Sequence, residues 1–93
     1  MNDEFVLEQA GHFAQRVARE AADGSSAAQV DWAYQLALCR TPSETESRLC
    51  VELIGRHTAR YQQLNMNADE AAEKALVHFC HTLFNTNEFL YVQ

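Results

Sequence analysis

Apolar residues recur at three- and four-residue steps along almost the whole chain, and few residues interrupt that rhythm. A period near 3.6 places such residues on one face of a helix, whereas a half-buried strand needs strict alternation. Fourteen alanines against three glycines and one proline point the same way, because alanine loses no side-chain entropy in a helix while glycine and proline disrupt it. The chain therefore reads as all-α.

Three short punctuations divide it into four helical segments. In the first, from about Asp3 to Ala22, Phe5, Val6, Ala10, Phe13, Val17 and Ala21 form an apolar stripe, and Glu4, Glu8, Arg16 and Arg19 take other positions. Asp23-Gly24-Ser25-Ser26 stops it, with glycine placed where a left-handed residue is usual. Ser25 or Ser26 caps a second segment carrying Val30, Ala33, Tyr34, Ala37 and Leu38, widened by Trp32 and Leu36. So wide a stripe suggests the central helix. It ends near Arg40, since Pro42 pushes Thr41 out of the helical region.

Ser43 with Glu46 matches a capping box, as does Thr41 with Glu44, so the third helix starts within two residues of Pro42. Leu49, Cys50, Leu53, Ile54, His57, Tyr61 and Leu64 form its stripe, and Glu44, Arg48, Glu52 and Arg56 a charged, solvated row. Asn67 opens the last helix, whose acidic first turn suits the helix dipole and whose buried side should be Ala72, Ala75, Leu76, Phe79, Cys80 and Leu83. Short connections and one stripe per segment predict a single domain over residues 1–93, a four-helix antiparallel bundle or compact helical array.

A net charge of -6, with six arginines and one lysine scattered rather than clustered, repels a phosphate backbone and argues against nucleic acid. No apolar run approaches the roughly 20 residues that span a bilayer, so membrane insertion is not expected. Cys39, Cys50 and Cys80 are odd in number and lack a C-x-x-C spacing, which suggests buried free thiols rather than a disulfide framework or zinc ribbon.

His78, Cys80 and His81 are the densest metal-capable set. On a helix the two histidines share a face and Cys80 points elsewhere, so the histidines are expected to be partly buried and satisfied by hydrogen bonds, and no metal or cofactor is expected. His57 and Tyr61 stand at an acid-base spacing, and Cys50 lies seven residues before His57, too far for direct contact. Arg40 and Glu46 read as a structural ion pair or cap. With no phosphate loop, Ser-His-Asp set or EF-hand spacing, the chain is not expected to be an enzyme by itself.

Three ordered motifs carry a family resemblance. The ending Leu83-Phe84-Asn85-Thr86-Asn87-Glu88-Phe89-Leu90-Tyr91-Val92, the segment Asn2 to Ala10 with Asn-Asp-x-Phe-Val, and Leu38 to Glu46 with Leu-x-Arg-x-Pro-Ser-x-x-Glu resemble a planctomycete-associated family of unknown function found in large proteins. Cys39 departs from the small or polar residue that the pattern favours. The resemblance implies the C-terminal domain of a larger, exported protein, periplasmic or at the cell surface, with cytochrome-c-like domains upstream.

The leading functional expectation is a non-catalytic structural or interaction module, docking upstream domains of its parent or another protein through Phe89, Leu90, Tyr91 and Val92. Phe89 is expected to pack inside and Tyr91 to mark a contact surface. The alternative is one wall of a ligand or active site completed by an upstream domain, formed by His57, Tyr61, His78 and His81. No oligomeric state follows from either reading.

Overall fold

The structure, a computed structural model, describes residues 3–86. Those residues form four helices in chain order: α1 (Asp3–Glu20), α2 (Ser26–Leu38), α3 (Glu44–Gln63) and α4 (Ala68–Phe84). The fold is all-α, as the periodicity requires. Among the described residues no helix is long and apolar enough to cross a membrane. Phe89, Leu90, Tyr91 and Val92 lie outside the described residues.

Each of the last three helices starts where its side-chain cap dictates. Ser25 accepts from the Ala28 amide at 3.1 Å, Ser43 from the Glu46 amide at 3.1 Å, and Asn67 from the Glu70 amide at 2.9 Å. Each bond satisfies a backbone donor that the first helical turn leaves open. The ends follow less familiar rules. No glycine has a positive φ; among the described residues the positions with positive φ are Cys39 at 59° and Asn65 at 72°. Gly24 is thus not the left-handed stop that its position suggested. Helix α2 instead ends on Cys39, whose amide donates to the Gln35 carbonyl.

The central helix is α4, not α2. It packs most extensively against α3 on one flank and α1 on the other, while α2 lies chiefly against α3. Ala71, Ala75, Leu76, Phe79, Cys80 and Leu83 of α4 are all buried. Burial of each large apolar side chain among them is worth about 1.5–3 kcal/mol. The wide apolar side of α2 gave the contrary expectation, yet Trp32, Leu36 and Ala37 are only half-buried there. Trp32 resolves its own polarity by donating its indole N–H to Glu20 of α1 at 3.0 Å.

Three stripes need correction at their margins. In α1 the buried line is Val6, Ala10, Ala14 and Val17, and Phe5 is 56% exposed. In α4 it is Ala71 that is buried and Ala72 that is exposed, although both continue a four-residue line of buried positions, Ala75 and Phe79 in one case and Leu76 and Cys80 in the other. In α3 only Ile54 is buried; Leu49 and Leu64 are more than half exposed. That helix divides its apolar residues between two neighbours, with Cys50 meeting α2 and His57 meeting α4.

Candidate functional site

Two polar clusters stand out from an otherwise apolar interior that contains no buried polar or charged residue among those described. The first is the corner between α2 and α3. Helix α2 ends at Leu38 on the left-handed Cys39, and Arg40, left just outside α2, reaches forward to Glu46 with both guanidinium arms, at 2.8 and 2.9 Å. The same Glu46 carboxylate accepts from the Ser43 amide at 2.8 Å and so closes a capping box. The Arg40 hydrogen bonds, reinforced by the Ser43 amide, pull the Glu46 carboxyl down to about 2. The guanidinium carbon of Arg40 also lies 5.3 Å from the centroid of the Tyr34 ring.

Tyr34 extends this corner inward. Its hydroxyl lies 3.7 Å from Cys50 Sγ, and burial, with that contact, pushes its ionisation well above the ordinary phenol range. The Cys50 thiol is likewise raised by burial, as is that of Cys80, to about 12. Neither has the electropositive setting that makes a thiolate nucleophile. All three cysteines are free, and Cys39 is exposed, so the expectation of three buried thiols fails at that position. A left-handed residue past the end of a helix projects into solvent, which explains the exposure.

The second cluster lies between α3 and α4. These helices run antiparallel, so His57 and Tyr61, one turn apart on α3, meet His78 and Lys74, one turn apart on α4. The rings of His57 and His78 stack with centroids 4.2 Å apart and planes 14° from parallel. His57 Nδ1 is buried and has no hydrogen-bond partner. Burial, then the His78 ring, Arg56 and Arg60, hold the His57 pKa below the ordinary histidine range. The expectation that His78 and His81 are partly buried and satisfied by hydrogen bonds is corrected in part: His81 is half-buried, His78 is exposed, and His78 meets the ring of His57 by stacking.

Beside the stack, Tyr61, Lys74, Val77, His78 and His81 line a groove of about 450 Å³ closed on its far side by Leu7 of α1. Residues 74, 77, 78 and 81 form one face of α4, opposite the buried line, which is why the chain presents them together. All four residues expected to form a site wall therefore gather in one place, three as lining and His57 behind His78. Lys74 and Val77 were missed in the sequence, although Lys74 precedes His78 by one turn and is the only lysine of the chain. Among the described residues no group of three or more histidine, cysteine or acidic side chains is arranged to hold a metal ion.

A neighbouring groove of about 450 Å³ runs between α1 and α4, lined by Gly11, Ala14, Ala18, Leu76 and Val77 together with the polar Gln15, Arg19 and Glu73. Small residues on α1 leave this space open. Phe5 and Leu7, on the same helix, are 56% and 52% exposed.

Comparison with known proteins gives one finding. Residues 1–54 match a family described as PSD1, a protein of unknown function (DUF1553). The matched stretch holds α1, α2 and the corner, and ends before His57. No curated protein and no solved structure matches the chain.

Proposed function

Since the chain belongs to the PSD1 family of unknown function, we propose that it is a non-catalytic structural or interaction module of a larger exported protein. The observation that carries this reading is the outer side of α1. There Phe5 and Leu7 stand more than half exposed, and the groove between α1 and α4 joins the apolar Ala14, Leu76 and Val77 to the polar Gln15, Arg19 and Glu73, as expected of a surface with an apolar centre and a polar rim that another part of a protein covers. The corner of Arg40, Ser43 and Glu46 supports the reading from the other side, because its polar groups are engaged in ending one helix and starting the next. The wider setting, a planctomycete-associated protein with cytochrome-c-like domains upstream, rests on the three resembling motifs.

The test is to produce the upstream part of the full-length parent and this chain as separate polypeptides and follow their association by gel filtration. Leu7→Glu places charge on the exposed side of α1, and Gly11→Gln places bulk in the groove, where a side chain at position 11 has room. Each should abolish co-elution without lowering the thermal midpoint of the chain, and Gly11→Gln should raise it slightly, since glycine costs a helix interior about 0.5–1 kcal/mol. Co-elution that survives both variants rejects α1 as the docking surface.

A second reading is favoured by the His57–His78 stack and the groove beside it. In that reading the chain supplies one wall of a ligand site, with Tyr61, His78 and His81 facing the ligand and His57 holding His78 in place.

A further inference from the structure

The groove beside the histidine stack has three properties that together specify a ligand class. Its hydrogen-bonding side chains are uncommitted: Tyr61, Lys74, His78 and His81 form no side-chain hydrogen bond or ion pair among the described residues. Its lining contains no acidic residue, in a chain of net charge -6. Its remaining walls, Leu7 and Val77, are apolar. Glu70 and Glu73 line the adjoining groove, and Lys74 forms the ridge between the two.

We infer that this groove binds a small organic acid, with Lys74 and the two histidines of α4 facing its carboxylate and Leu7 and Val77 its apolar body. The inference rests on the second reading above and deepens it. An ammonium, a phenol and two imidazoles are all able to donate to a carboxylate, and a lysine without an acidic partner keeps its charge available. The volume of about 450 Å³ falls within the range of small-molecule sites, about 300–1,000 Å³. Phosphate is less well served. No arginine fork and no helix N-terminus borders the groove, and the apolar walls would gain nothing from an inorganic ion.

The experiment follows the imidazole signals of the chain by NMR during titration with benzoate, its neutral isostere benzamide, and inorganic phosphate. Benzoate should shift His78 and His81, and leave His12 on α1 unmoved. Lys74→Gln should weaken benzoate about fivefold, the factor expected of a partly exposed ion pair, and Lys74→Arg should restore most of it. Equal shifts with benzamide would overturn the assignment to carboxylates while leaving the groove a ligand wall. Phosphate binding more tightly than benzoate would overturn it in favour of an inorganic anion. A benzoate titration without shifts, or one indifferent to Lys74→Gln, would also overturn it.

Discussion

The corner between α2 and α3 and the groove between α3 and α4 are built from the same kinds of side chain and reach opposite ends. At the corner Arg40, Ser43 and Glu46 bond one another in a closed set. Beside the groove a buried imidazole nitrogen has no partner, and a lysine, a tyrosine and two histidines line the opening without bonding one another. A polar set that bonds within itself fixes the backbone and uses most of its hydrogen-bonding capacity there. A set left open at the surface contributes little to folding and keeps its donors available. The corner thus reads as architecture, and the groove as the place where chemistry with another molecule is affordable.

The largest expected effect tests the corner through its inner member. Tyr34 is 7% exposed, and truncation of a buried aromatic to alanine costs about 3–5 kcal/mol. Tyr34→Ala should therefore lower the unfolding free energy in urea by about 3 kcal/mol, at the bottom of that range because part of the ring borders Arg40. Its counterpart in the groove, Tyr61→Ala, should stay within about 1 kcal/mol. Comparable losses at both sites would erase the contrast.

Glu46→Gln comes next. It removes the carboxylate that serves both Arg40 and the Ser43 amide, and loss of a cap with a partly exposed ion pair amounts to about 1–2 kcal/mol at neutral pH. The acid limb carries the signature. The folded value near 2 lies below the ordinary 4.5, so the unfolded chain binds the proton more readily. The stabilisation is complete above 4.5 and is lost as pH falls through about 2. Unfolding followed between pH 5 and about pH 2 should show a slope that Glu46→Gln flattens. An unchanged slope would mean that the Arg40 pair does not persist in solution.

How much of this was legible follows from the range of each interaction. The caps and the Arg40–Glu46 pair span a few residues, so spacing exposed Asn67 and the pair directly and narrowed the other two caps to Ser25 or Ser26 and Thr41 or Ser43, of which Ser25 and Ser43 form. The order of packing did not show. A wide apolar side on α2 looked central, but which helix is enclosed depends on how many neighbours it meets, and α4 meets α1 and α3. Ala71 and Ala72 are chemically identical, so only the register against α3 decides which is buried. His57, Tyr61, His78 and His81 were singled out by type and Lys74 was missed, and the gathering of Tyr61, Lys74, His78 and His81 at one groove depends on the antiparallel pairing of α3 and α4. That the His57 ring would find a ring and not a hydrogen bond is a tertiary fact with no local trace.

A smaller effect, of opposite sign, is expected at the one strained position of the corner. Cys39 holds φ 59°, which costs a residue with a Cβ about 1–2 kcal/mol, whereas glycine adopts it freely and loses more unfolded-state entropy. Cys39→Gly should stabilise the chain by about 0.5 kcal/mol net. A higher urea midpoint with an unchanged slope is the expected record. Destabilisation would show that the Cys39 side chain makes a contact that offsets its strain.

The smallest effect bears most directly on the groove. His57 contributes a flat ring that stacks on His78 and a buried nitrogen without a partner. Replacing an unsatisfied polar ring by an apolar one of like shape is close to neutral or slightly stabilising, so His57→Phe should change stability by no more than about 0.5 kcal/mol at pH 7.5. Its pH dependence differs from that of the corner. The folded His57 value lies below the ordinary 6.5, chiefly through burial, so the unfolded chain takes up the proton first. Its stabilisation is complete above 6.5 and is lost as pH falls through the lower folded value. This limb begins two units above the Glu46 limb, 6.5 against 4.5, so the two variants should flatten separate parts of one stability profile. His57→Phe should remove the upper limb and leave the lower. A loss above about 2 kcal/mol at pH 7.5 would mean that the imidazole has a hydrogen-bond partner after all, and the groove would then belong, like the corner, to the architecture.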